Sequence, residues 1–111
     1  IQSDVLKALT EAFSSKSLAD GKLGFFHPDN FTFNQDLYLS QVISLACQVP
    51  GVNWVDASDN KTNLFQRMGQ PSDGEIRSGV IEMQSNEIVR VDNDPSSPER
   101  GMIRFFMVGG K

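Results

Sequence analysis

The run from Gly24 to Phe33, Gly-Phe-Phe-His-Pro-Asp-Asn-Phe-Thr-Phe, limits what this chain can become more than any other stretch. Four of the eight phenylalanines fall in it, at positions 25, 26, 31 and 33. His27-Pro28 and Asp29-Asn30 interrupt them with residues that favour turns over helices or strands. The stretch is therefore predicted to be an aromatic loop. Ordering its ten residues costs about 10–20 kcal/mol of conformational entropy, whereas burying four phenylalanine side chains returns roughly 6–12 kcal/mol. Its own side chains cannot hold it, so it has to fasten onto a body built by the rest of the chain or onto a neighbouring subunit.

The chain has 111 residues and 39% apolar content, enough for the core of one domain. Ten basic against fourteen acidic residues give a net charge of −4, and the basic ones are scattered from Lys7 to Lys111. A nucleic-acid groove needs a basic face, which this distribution does not provide. No apolar run approaches the roughly 18 residues needed to cross a bilayer, so no membrane partner is expected. Cys47 is the single cysteine, which rules out an internal disulfide and fits a reducing compartment. The sequence opens on Ile1, with its first residues already helix-like, so it is expected to be a piece of a longer chain, and the resemblance given below implies its C-terminal part.

Ser3-Asp4 can cap a first helix whose apolar positions Val5, Leu6, Ala8, Leu9, Ala12 and Phe13 recur at three and four residues. After the aromatic loop, Asn34 or Asp36 can cap a second helix with Leu39, Val42, Ile43, Ala46 and Val49 as its buried stripe, stopped by Pro50-Gly51. Cys47 lies four residues after Ile43, so it is expected on or beside that stripe as a small core residue. Strands are predicted at 52–57, 64–68, 80–83, 87–91 and 102–108, with a turn or longer excursion at 59–61 and a loop from Gly69 to Gly79. The last two strands are expected to pair antiparallel across the proline- and glycine-bearing turn 93–101. The predicted fold is α+β: two helices first in the chain, packed on one face of a mostly antiparallel sheet of four or five short strands.

Chemical motifs are sparse. His27 is the single histidine, which removes any site needing two, and in a loop full of phenylalanine a bond to a backbone carbonyl is favoured over a role as catalytic base. No Gly-x-Ser-x-Gly elbow and no phosphate-binding glycine loop occurs. Asp92-Asn93-Asp94 alternates oxygen side chains as a calcium loop does, but Ser96, Ser97 and Ile103 stand where that loop needs a ligand, a glycine and a glutamate. Asx turns before Pro95 account for the same residues without a metal.

Taken together, Gly24 to Phe33, Leu37-Tyr38-Leu39-Ser40, Val49-Pro50-Gly51-Val52, Phe65-Gln66-Arg67 with Gly69-Gln70-Pro71, Gly79-Val80-Ile81, Glu87 to Pro95, and Pro98-Glu99 with Gly101 resemble the C-terminal region of the baseplate assembly proteins. Those belong with the baseplate J-like wedge proteins of contractile phage tails and phage-tail-like injection particles. The likeness runs over nearly the whole chain. Asn34 departs from it where glycine is expected, Asp36 where proline is usual, and Arg100 where asparagine or a related residue often precedes the glycine.

The resemblance implies a structural protein, not an enzyme, with no catalytic residue, cofactor, metal or small-molecule substrate. Its implied partners are other baseplate wedge subunits and copies of itself, in the bacterial cytoplasm during assembly and then in the phage or phage-like particle. Phe25, Phe26, His27, Phe31, Phe33 and Trp54 are the interface candidates. The opposing expectation is that the four loop phenylalanines fold back onto the domain's own core. The alternative function is a carbohydrate- or peptide-binding module of such a particle, with Trp54, Tyr38 and the loop phenylalanines as an exposed platform. An enzyme would need His27 with a carboxylate such as Asp29 in a cleft.

Overall fold

Apolar residues at helical spacing near the start of the chain wind into α1, Gln2–Ala12, which turns Val5, Ala8, Leu9 and Ala12 toward the core. The structure is a computed structural model and describes residues 2–55, 65–68 and 74–109. Ser3 and Asp4 lie inside the first turn of α1 and not ahead of it, and Leu6, expected on the buried stripe, faces outward. Phe13 follows the last turn and is the most deeply buried large side chain, at 1% exposure.

From there the chain doubles back through a bridge between Ser17 and Leu23 and enters the aromatic loop. Leu37–Tyr38 form β1, and α2, Leu39–Gln48, begins directly after it. Tyr38 occupies the cap position without a side-chain bond, so neither Asn34 nor Asp36 caps this helix. Asp36 instead accepts a hydrogen bond from the Met83 amide at 2.8 Å, beside the pairing of β1 with β2, Val80–Ile81. That pairing is antiparallel, with Leu37 opposite Ile81 and Tyr38 opposite Val80. Helix α2 buries Ala46, and Leu39, Val42 and Leu45 pack on the core with Val49 just beyond its end. Cys47, predicted as a small core residue, is exposed, because Leu45 and not Ile43 completes the packed face. Gly51, at φ 96°, lets the end of α2 close on α1: a Cβ there would lie 2.6 Å from the Val5 Cγ2 methyl.

The predicted sheet of four or five strands with both helices ahead of it is not what forms. Among the described residues there are three α-helices and one two-stranded antiparallel sheet, and β1 precedes α2. The third helix, α3, is the single turn Glu75–Ser78 inside what was expected to be a loop, bounded by Gly74 and Gly79 in left-handed conformations. Residues 52–55, 65–68, 87–91 and 102–108 carry no strand, while 56–64 and 69–73, which include the expected turn at 59–61 and parts of two predicted strands, lie outside the described residues.

The failure of the last pair has a visible cause. Asp92 and Asn93 donate to the carbonyls of Arg100 and Gly101 at 3.1 and 2.9 Å, so the bonds step in the same direction along both arms. An antiparallel ladder exchanges its bonds reciprocally instead. The connection also contains Pro95 and a 3₁₀ turn at Pro98–Arg100, which further divert the arms from ladder geometry.

The core joins Leu9, Phe13, Phe26, Phe31, Leu37, Ala46, Val49, Phe65, Ile81 and Val89, and half-buried Ile76 of α3 and Ile103, Phe105 and Met107 of the C-terminal segment pack against it. Phe13 sits at the junction of helix, loop and C-terminal segment. Phe13→Ala is expected to lower unfolding stability by about 3–5 kcal/mol, read as a shift in the midpoint of chemical denaturation, whereas Leu6→Ala on the outer side of α1 should change it by under about 1 kcal/mol.

Candidate interaction surface

The turn-forming residues between the phenylalanines are what let the loop pack. Pro28–Asn30 make one 3₁₀ turn, capped by His27, whose Nδ1 accepts the Asp29 amide at 3.0 Å. A bond to a backbone carbonyl was expected of this histidine; it bonds an amide instead, which makes Nε2 the protonated nitrogen of the neutral ring. Nε2 lies 3.5 Å from Ser17 Oγ, and the exposed Asp29 carboxylate is 3.9 Å from Nδ1. Asn30 donates from Nδ2 to the carbonyls of Gly24 and Phe25 at 3.0 and 3.3 Å, closing the loop on itself.

Main-chain bonds then fasten the loop to the body. The amides of Gly24, Phe25 and Phe26 donate to the carbonyls of Lys16, Ala12 and Ser14 at 2.9, 2.8 and 3.1 Å. Gly24 is confined by this approach, since a Cβ would meet the Ser14 carbonyl oxygen at 2.1 Å. The rings follow the backbone inward. Phe25 meets Phe26 edge to face at 4.9 Å and Phe31 at 5.7 Å, Phe26 and Phe31 stack at 6.0 Å, and Phe13 contacts Phe25, Phe26 and, at 5.5 Å, Phe105. Edge-to-face and offset pairs at these separations add to simple burial.

The six interface candidates therefore divide. Phe26 and Phe31 are buried, Phe25 is packed against the core, and His27 is mostly covered. Phe33 and Trp54 face outward at 61% and 65% exposure. Asn34, just past Phe33, has φ 62°, which accounts for an asparagine where the resemblance expects glycine, since asparagine tolerates the left-handed region best among the other residues. An exposed platform built from all the loop phenylalanines is not present, because three of the four are turned in.

Two outward residues were missed in the sequence: Phe106, 81% exposed, and Val108, 80% exposed. They lie on a segment whose other face, Ile103, Phe105 and Met107, packs on the core. A run apolar on both faces was the available signal, and it was read only as a strand paired with 87–91, without asking which of its residues face out. Trp54, Met68, Ile88 and Phe106 also line an open, mostly apolar concavity of about 950 Å³ among the described residues.

One ion pair braces the rim of this concavity. Arg67 grips Glu87 with both terminal nitrogens at 2.7 Å and also donates to the Glu82 carbonyl. The Gln84 amide donates to Glu87 Oε1 at 2.8 Å, and the Glu87 carbonyl accepts the Asn34 amide at 3.0 Å. Hydrogen bonds from Arg67, then that from Gln84, hold the Glu87 carboxyl below the usual carboxylate range. Asp94 is likewise lowered, first by the Ser96 hydroxyl and then by the Ser96 amide, in the Asx turn expected there. Among the described residues no three His, Cys, Asp or Glu side chains converge as a metal site, and no helix is long and apolar enough to cross a membrane. Comparison with protein families, with curated proteins and with solved structures finds no match.

Because Glu87 is lowered on folding, its contribution is complete above the ordinary value of 4.5 and is lost as pH falls through the folded value. Acidification below about pH 4.5 should therefore lower the melting temperature of the wild type more than that of Glu87→Gln, measured by differential scanning calorimetry. Equal acid sensitivity would remove Glu87 from the account. His27→Ala should cost about 1 kcal/mol through loss of the 3₁₀ cap, and Gly24→Ala about 1–3 kcal/mol through its clash with Ser14, both measured by chemical denaturation.

Proposed function

We propose that this chain is a structural module of a contractile-tail baseplate, one docking part of a larger wedge or assembly subunit that acts through protein contacts. The resemblance carried by residues 24–33, 37–40, 49–52 and the later runs supports the family. The outward-facing apolar set of Phe33, Trp54, Phe106 and Val108 carries the contact role. The core is completed without these four, and each gains roughly 1.5–3 kcal/mol on being covered. Aromatic side chains are enriched where one protein surface closes on another. The partners on this reading are neighbouring wedge subunits and further copies of the chain, first in the bacterial cytoplasm and then in the particle. Catalysis, cofactors and small-molecule substrates have no part in it.

The test is the protein content of contractile particles from the strain that carries this coding sequence. Purified by sedimentation, they should contain peptides of this chain at a fixed ratio to tail-sheath peptides in every gradient fraction. A chain found only in the unsedimented fraction would refute the assignment.

A further inference from the structure

The segment 102–108 has the properties of an edge strand that lacks its neighbour. Exposure alternates along it: Ile103, Phe105 and Met107 pack on the core, while Arg104, Phe106 and Val108 face out. Yet among the described residues the main chain of 102–108 makes a single hydrogen bond, from the Ile103 amide to Asn93 Oδ1 at 3.3 Å. A run whose exposure alternates residue by residue, and whose amides and carbonyls are otherwise unbonded among the described residues, is a template for another strand.

We infer that 102–108 pairs antiparallel with the same segment of a second copy, about a two-fold axis at Phe105. The second copy comes from the self-contact of the proposed function, and the pattern of the segment selects the register. Side chains directly opposite in an antiparallel pair share a face, so the core-facing set must meet a core-facing set, which excludes every register that places an odd-numbered residue opposite an even one. Of those that remain, centring on Phe105 overlaps the full seven residues of the segment. It sets Ile103 opposite Met107 and Phe105 opposite itself on the inner face. On the outer face Arg104 lies opposite Phe106, twice over by symmetry, which brings a guanidinium to an aromatic ring. Moving the axis to Arg104 would instead set the segment's one charge against its own copy. In the chosen register Phe106 and Val108 gain lateral contact with Arg104 and Met102 of the second copy, and the amides and carbonyls of the even-numbered residues, on the edge turned away from the Ile103–Asn93 bond, gain partners.

The pair deepens the protein-contact reading, from which it takes the existence of a self-contact, and supplies its location. The test uses the whole chain in a Cys47→Ser background, so that the exposed native thiol cannot cross-link. Sedimentation velocity should show a concentration-dependent dimer. Phe106→Pro, which removes an outward side chain and a pairing amide, should weaken it at least tenfold while circular dichroism shows the fold retained. Mixed Arg104→Cys and Phe106→Cys proteins should form the heterodisulfide in preference to either homodisulfide, and this arm does not depend on the proline variant folding. A chain that stays monomeric, a dimer indifferent to Phe106→Pro, or cross-linking without preference for the mixed pair would overturn the inference. If the chain is monomeric yet still sediments with contractile particles, the strand pair alone is lost and the baseplate reading stands.

Discussion

The packing of Phe13 against Phe25, Phe26 and Phe105 is the contact on which the rest of the structure depends. It gathers the end of α1, the aromatic loop and the C-terminal segment at one point. The loop's entropy deficit is met there twice over, by rings in edge-to-face contact and by three amides donating to residues 12, 14 and 16. Gly24 makes the approach possible because the Ser14 carbonyl takes the space a side chain would need.

Once the loop is committed inward, the surface available to a partner changes. Residues that looked like the adhesive part of the chain become the core, and the outward role passes to Trp54, Phe33 and the far face of 102–108. The Arg67–Glu87 grip works to the same end, since it ties 65–68 to 82–87 across the rim of the concavity and leaves Trp54 and Phe106 beside an open apolar hollow. Contacts made by one chain with another would thus rest on segments that its own folding leaves incompletely bonded.

Local patterns were legible where they are self-contained. Both long helices, the aromatic loop and the Asx turn at Asp94 follow from residue spacing and turn chemistry within a few positions. The sheet was not legible, because strand-like composition at 87–91 and 102–108 says nothing about whether their main chains meet in register. Cys47 was misplaced by counting from Ile43 when the packed face of α2 runs through Leu45 and Ala46. Helix α3 was hidden by its brevity, with only Gly74 and Gly79 to mark its ends. At the candidate surface, Trp54 and Phe33 were among the named candidates, but nothing in the sequence set Phe33 apart from the other loop phenylalanines, and Phe106 could not be told from its half-buried neighbour Phe105 without knowing which face met the core.

Amide hydrogen exchange at two protein concentrations tests the division between inward loop and outward segment most directly. The account predicts that the amides of Gly24, Phe25 and Phe26 are protected equally in dilute and concentrated samples, while alternate amides of the C-terminal segment, those of Arg104, Phe106 and Val108, exchange freely when dilute and become protected when concentrated. Loop protection that appears only on concentration, with Arg104, Phe106 and Val108 already protected in the monomer, would contradict it.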